Sequence, residues 1–312
     1  MTEVKKQYGI WTGIAMVIGI VIGSGVFIKS GKVLEQTAGD LKYAILAWFI
    51  GGLIMVCSGF CFAVFATRVT KFNGVVDYIE VSTNKKVGYV LAWCFTTFYY
   101  PIIASIVALN AGKYFFELVG LTSIEIKSLP NFIFAFIVLL ITTLINYFSP
   151  KLSAKFQISS TAIKLIPIFG IVIAGLFASL LVEGAPGILG AFKNTCDSFK
   201  QIQEGNEIVK YTVFDFGKAV TITAFAYEGW VCATAINAEL KDSKKNLPRA
   251  LVFGTIAVLL FYIIYFIGLS SILGNEGLLE SGKLGDKAPM SAFSLLFGAV
   301  GSKLFTAFII KV

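Results

Sequence analysis

The sequence predicts an all-α integral membrane fold: two inverted five-helix repeats whose first and sixth spans are broken, with the second repeat incomplete. Three observations lead there. The composition is that of a chain solvated by lipid, the apolar runs are long enough to cross a bilayer, and two of the runs are interrupted by flexible residues five spans apart.

Apolar residues make up 57% of the chain and charged residues 14%, with a mean hydropathy of +0.82. Average globular chains have roughly 45 to 50% and about 25%. The net charge of +8 would suggest nucleic acid in a soluble protein, but the lysines and arginines sit mainly in loops between apolar runs, and no nucleic-acid partner follows. Lys5 and Lys6 precede the first run in the manner of a signal peptide. That run is too long for an ordinary signal, lacks a small-residue cleavage pattern and is followed by further spans. Cys57, Cys61, Cys94 and Cys232 lie in apolar segments, where small apolar packing is their expected role, and Cys196 stands alone in a polar loop. There is no histidine, which removes imidazole metal sites, triads and proton relays. The expectation is a protein that is not an enzyme and carries no metal or cofactor.

Stretches of about 20 apolar residues give spans at Tyr8 to Ile28, Tyr43 to Thr67, Tyr89 to Gly112, Phe132 to Phe148, Ile158 to Val182, Phe214 to Leu240 and Ala250 to Leu273. Ala288 to Val312 is apolar but divided by Gly301-Ser302-Lys303, so it reads as the start of an eighth span. About seven complete spans result. The long polar loop is Glu183 to Asp215. Residues 1–312 form one transmembrane domain, with a first repeat over about 8–182 and a partial second repeat over about 214–312. Lysine and arginine divide almost evenly between alternate loops, but the short loops Lys151 to Lys155 and Lys241 to Arg249 are densely basic, which places the N-terminus in the cytoplasm.

The interruptions carry the functional reading. An unpaired backbone group costs several kcal/mol in lipid, so irregular backbone survives there only where it lines a cavity or meets a ligand. Gly19, Gly23 and Gly25 fall within seven residues of span one. Glycines lower helix stability and let the backbone open; Gly19 and Gly23 also fit a small-residue packing pattern. If Gly25 opens a new half-helix, its free N–H groups attract a carboxylate. In span six, Phe225-Ala-Tyr-Glu-Gly-Trp230 puts Glu228 ten residues from Lys218 and eleven from Glu239, near the bilayer centre. A carboxyl group there is either functional or paired with a neighbouring helix. Freed carbonyls at this break suit an ammonium, so the two breaks describe a zwitterion site in a secondary transporter. Lys164 is compatible with burial and with snorkelling to the surface, and Pro167 one turn later leaves the carbonyl near position 163 in need of another donor.

Ile22-Gly-Ser-Gly-Val-Phe27, Ile163-Lys-Leu-Ile-Pro-Ile168, Phe225-Ala-Tyr-Glu-Gly-Trp230 and Glu239-Leu-Lys-Asp-Ser-Lys-Lys-Asn-Leu-Pro-Arg249 occur in this order. Together they resemble the L-type amino acid transporter branch of the amino acid/polyamine/organocation superfamily, most closely its bacterial serine/threonine exchangers. The resemblance covers essentially the whole chain. It implies two inverted five-helix repeats plus two further helices, acting as a permease or exchanger for amino acids in the cytoplasmic membrane. Backbone at Gly23, Ser24 and Gly25 would hold the α-carboxylate, and carbonyls near Ile22 and at Phe225 and Ala226 the α-amine. Tyr227, Glu228 and Gly229 would edge the side-chain pocket. Lys164 matches a lysine that in such proteins replaces a sodium ion, which implies sodium-independent exchange or proton coupling. The implied partners are an amino acid and the lipid bilayer, with no obligate protein partner.

Departures accompany the resemblance. Relatives usually have an acidic residue late in span two, where this chain has Phe62-Ala63-Val64-Phe65, and a Gly-Gly pair where this chain has Asn73-Gly74. By resemblance span eight begins near Ser302, so the expectation is a C-terminally truncated representative. The alternative expectation is a transport-inactive fragment, or an interaction partner that needs a complementing chain.

Overall fold

The structure, a computed structural model, describes residues 8–69, 73–121, 123–193, 202–204, 207–209, 214–283 and 287–311. Lys5, Lys6, Lys71 and Cys196 lie outside these. Among the described residues six helices are long and apolar enough to cross a membrane, and a helix pair bent by 52° makes a seventh. The chain is a multi-pass membrane protein.

Span one is the bent pair α1 (Ile10–Val21) and α2 (Ser24–Gln36). It runs eight residues past the expected end at Ile28, because Val26, Phe27, Val33 and Leu34 are buried in the core even though Lys29 and Lys32 make the segment look polar. Span two is α3 (Leu41–Arg68), started by the Asp40 carboxylate, which accepts from the Lys42 N–H at 2.8 Å. The short α4 (Val75–Ser82) follows on the N-terminal side. Span three joins α5 (Lys85–Cys94), a π-helical turn over Phe95–Tyr99 and α6 (Tyr100–Leu118). Pro101 accounts for that turn: its ring clashes with the carbonyl four residues back, and widening the helix relieves the clash. Spans four and five are α7 (Leu129–Phe148) and α8 (Pro150–Leu176), followed by the short α9 (Ala178–Leu181).

The polar loop contains α10 (Gly187–Lys193) and a hairpin of β1 (Ile202–Glu204) and β2 (Glu207–Val209). Span six is α11 (Phe216–Ala226) followed, across a break, by a 3-10 helix over Trp230–Glu239. Span seven is α12 (Ser243–Lys283), kinked at Gly274, and α13 (Ala288–Lys311) ends the chain. The break in α13 falls at Gly298, with φ +66°, and not at the expected Gly301-Ser302-Lys303. Gly301 instead sits inside the second piece, where a Cβ would come within 2.3 Å of the Phe293 carbonyl. The order broken span, long span, short helix therefore occurs twice, as α1–α2, α3, α4 and as α11 with its 3-10 half, α12 and Ala288–Gly298.

The core lies between the two broken spans and α12, which packs against α1, α2, α3, α8 and α10. Its contact with α8 is as close as backbones come: a Cβ on Gly175 would stand 2.4 Å from the Cα of Gly268. Spans three and four lie outside this core, with large apolar side chains such as Phe136 and Tyr147 on the surface, as helices that face lipid require. Cys57 and Cys61 are exposed on α3, so surface positions replace the packing role expected of them.

Both departures from the family pattern have a structural account. Phe62 meets the rings of Tyr78 and Trp230 edge-on, and Phe65 stacks on Tyr78 at 5.6 Å, so aromatic packing fills the place of a charge. Asn73 donates from its backbone and its side chain to Asp77 at 2.7 and 3.2 Å. Gly74, at φ +57°, lies against Thr234, where a Cβ would be 2.4 Å from the hydroxyl. Gly74 is thus the glycine of this loop that contacts span six.

Spans one and six are joined at both ends. At the N-terminal side Tyr8 accepts from Lys241 N–H at 2.8 Å and donates to the Glu239 carbonyl at 3.1 Å. At the other side Asp215 N–H donates to the Gln36 carbonyl at 2.8 Å.

Candidate functional site

In span one helical backbone stops at Ile22, with ψ 89°, and Gly23 is extended, with φ −116° and ψ −162°. Gly23 has no side chain to cap α2, so helix geometry leaves the N–H groups of Ser24, Gly25 and Val26 without intrahelical acceptors. The Gly23 N–H differs, because it donates to the Val21 carbonyl at 2.8 Å. The amide set therefore begins at Ser24.

In span six α11 stops at Ala226, and Gly229 reverses the chain at φ +102°, a left-handed conformation that glycine adopts without strain. The two breaks touch. A Cβ on Gly25 would stand 2.7 Å from the Cα of Ala226, and one on Gly229 would stand 3.1 Å from a methyl group of Ile20. Glycine is needed at both positions for the backbones to meet.

The carbonyls freed by the breaks are shared. Tyr262, on α12, lies with its hydroxyl 2.9 Å from the Val21 carbonyl and 3.1 Å from that of Ala226. Its single hydrogen serves one acceptor at a time; the Val21 carbonyl also accepts from the Gly23 N–H, and whichever carbonyl the tyrosine leaves keeps a lone pair for an ammonium. The Phe225 carbonyl accepts a long bond from the Glu228 N–H at 3.4 Å and a shared one from the Tyr227 N–H, so backbone donors hold it loosely. Tyr227 is buried, and its hydroxyl donates to the Trp48 carbonyl at 2.9 Å. Trp48, Tyr227 and Tyr262 form a ring cluster with centroids 5.0 to 5.8 Å apart.

Glu228 lines a cavity of about 340 Å³ between α3 and span six, together with Gly51, Ser58, Thr221, Tyr227 and Trp230. Its carboxylate accepts from the hydroxyl of Tyr99, which the π-helical turn of span three presents. Lys164 is buried, and its ammonium lies 3.4 Å from the Gly19 carbonyl of span one, so it does not snorkel. Pro167 lies inside α8 one turn further on.

Ile22, Ser24, Gly25, Phe225, Ala226 and Gly229 thus converge at one place, while Lys164 supports it from α8 and Glu228 opens onto the α3 side. Tyr99, Tyr262 and Trp48 were not singled out by sequence reasoning. The signal for Tyr262 was a hydroxyl in the middle of an apolar span, which a buried tyrosine has to satisfy.

A half-helix start with amides left without helical acceptors, set against the carbonyls of a second break, with seven spans among the described residues, defines a broken-helix membrane fold. The chain belongs to the amino acid permease family, whose model matches residues 8–312. Among curated proteins it is 31% identical over 306 residues to the serine/threonine exchanger SteT of Bacillus subtilis (strain 168), covering 98% of this chain and 63% of the exchanger. It is 29% identical over 284 residues to b(0,+)-type amino acid transporter 1 of Oryctolagus cuniculus, covering 90% of this chain and 54% of that protein. Identity to large neutral amino acids transporter small subunit 2 of Homo sapiens is 26% over 315 residues, 97% of this chain and 56% of the relative. The chain therefore spans less than two thirds of the length of each.

Proposed function

We propose that this protein is a secondary transporter that moves a neutral amino acid across the cell membrane, with its N-terminus in the cytoplasm and without sodium, by exchange or proton coupling. The contact of the two breaks carries the reading: Gly25 lies against Ala226, with the amides of Ser24 to Val26 on one side and the Val21, Phe225 and Ala226 carbonyls on the other. A helix N-terminus favours a carboxylate, and carbonyls favour an ammonium. The α-carboxylate would take the amides and the α-amine the carbonyls, with Tyr227, Glu228 and Gly229 beside the side chain. Lys164, at the Gly19 carbonyl, would stand where a cation otherwise joins spans one and five. Residues of about 8–182 would form the first repeat and those from about 214 part of the second, whose matching element order supports the division.

The purified protein in proteoliposomes loaded with L-serine, L-threonine or L-leucine is expected to take up the labelled amino acid with saturation. These probes are chosen from what the relatives' names say those proteins carry. Decarboxylated and N-acetylated analogues are expected not to compete, since each lacks one of the two charges. Strong competition by either would sink the zwitterion site.

A further inference from the structure

The two pieces of α13 fold against each other. Gly298 turns the chain between them, and the rings of Phe293 and Phe305 approach to 4.8 Å across the bend. A second face of the bend is polar: Ser291 and Ser294 stand one turn apart on the first piece, and Ser302 and Lys303 on the second. With the end of α6 and with α12 these residues line a surface cavity of about 790 Å³, within the range of small-molecule sites. Elsewhere in the helices serine hydroxyls bond back to the preceding turn, as those of Ser30, Ser58 and Ser271 do at 2.8 to 2.9 Å. Among the described residues the hydroxyls of Ser291, Ser294 and Ser302 find no partner in the protein. Lys287, at the edge of the cavity, pairs with Glu117 at 3.5 Å, whereas Lys303 has no carboxylate within ion-pair distance among the described residues. Two ammonium groups and one carboxylate leave the lining with one net positive charge.

We propose that this cavity binds the headgroup of an anionic phospholipid, a phosphodiester such as that of phosphatidylglycerol. A phosphodiester carries one negative charge, which the lining balances. Its oxygens are acceptors, and the groups that lack partners here, the Lys303 ammonium and the three serine hydroxyls, all donate. A zwitterionic headgroup would bring another cation beside two lysines, and an apolar ligand would leave the donors unpaired. Position selects a lipid over a soluble phosphate ester. α6 completes span three at Leu118, so the cavity lies where hydrocarbon gives way to headgroups, on the side away from the N-terminus. Val119 and Leu295 are exposed at the cavity, and Val300 and Leu304 are exposed further along α13, where acyl chains can lie. A phosphate held by Lys303 on one piece of α13 and by Ser291 and Ser294 on the other would tie the two pieces across Gly298. The proposal stands apart from the transport reading and does not rest on it.

The test titrates the purified protein in detergent with short-chain phosphatidylglycerol, reading bound lipid by native mass spectrometry and the folded state by thermal melting. Phosphatidylglycerol is expected to bind and to raise the melting temperature, since a ligand of the folded state stabilises it, and phosphatidylcholine at the same concentration is expected to do neither. Lys303→Gln should weaken binding about 5-fold, the effect of one lysine at a membrane surface, and Lys303→Arg should retain it. Lys127→Gln removes an exposed lysine that does not line the cavity, so it should leave binding unchanged. Equal weakening by Lys127→Gln and Lys303→Gln would show a diffuse attraction to the whole surface and overturn the site. Equal binding of phosphatidylcholine would overturn it as well, and equal protection by sn-glycerol 3-phosphate or inorganic phosphate would overturn the assignment to a lipid. If Lys303→Gln fails to fold, Ser291→Ala combined with Ser294→Ala decides: weakened binding supports the site, and wild-type affinity overturns it.

Discussion

Tyr262 offers one hydrogen to two freed carbonyls, at Val21 and Ala226, from a fully buried position. Tyr262→Phe removes one hydrogen a substrate would have to displace, but it also takes the tyrosine donor from the buried Ala226 carbonyl at about 1 to 3 kcal/mol, while the Val21 carbonyl keeps the Gly23 N–H. The second effect is the larger when no substrate is bound. The variant should therefore melt earlier in detergent, and added amino acid should recover part of the loss; an unchanged melting temperature would mean that water satisfies these carbonyls. At Gly25 any side chain meets the backbone of Ala226. Gly25→Val should insert normally, being apolar, yet fail to bind amino acid, and wild-type affinity in that variant would show that the glycine serves packing alone. Lys164→Ala strips the buried Gly19 carbonyl of its ammonium. Transport should fall about 10- to 100-fold on the cost of an unpaired buried group, and wild-type transport should be indifferent to replacing sodium by choline.

At the scale of the element, what matters is how the half-helices are tied. Spans one and six are joined by backbone hydrogen bonds at Tyr8 with Glu239 and Lys241, and at Gln36 with Asp215. Between these ends they touch at Gly25 and Gly229. Four ties along two helices favour movement of the pair as a unit over independent swinging of one half. Cysteines placed at Tyr8 and Leu240, which face each other as bridge partners, should crosslink with transport retained. Loss of transport on crosslinking, restored by reduction, would show that the N-terminal halves must separate. The 3-10 half of span six is held by Gly74, at the start of α4, on Thr234, and by Phe62 of α3 on Trp230. Gly74→Ala should disturb this half selectively, visible as faster amide exchange over 230–239 than over 216–226.

Across the whole molecule, one core of broken spans and α12 is flanked by spans three and four, whose apolar faces lie at the surface. Span three still reaches span six through the Tyr99 hydroxyl on Glu228 and through Tyr100 hydrogen-bonded with Cys232. Orientation is a property of the whole chain. With the N-terminus in the cytoplasm, a cysteine at Lys244 should label from the cytoplasmic side of intact cells only after permeabilisation, and one at Gly187, in the loop between spans five and six, should label directly. The reverse pattern would invert the topology.

The sequence by itself determined the membrane class, the number of spans and the location of both breaks, because each depends on local composition: apolar run length, glycine density, and a carboxyl group far from any surface charge. It also put the breaks at Gly23 and Gly229, since a helix is broken by its own residues. It misplaced the end of span one, because Lys29 and Lys32 look like a membrane boundary while the intervening residues are buried. It put the break in α13 three residues late, because three flexible or polar residues in a row outweigh a single glycine in a local reading. Only the tertiary structure decided between burial and snorkelling for Lys164, and only it supplied Tyr99 and Tyr262. Tyr262 meets Val21 across 241 positions, and Tyr99 meets Glu228 across 129. The physical reason is that a hydrogen bond or a cation–π contact depends on which helices lie side by side, and that follows from close approach at glycines and threonines distributed over the whole chain, which no local window contains.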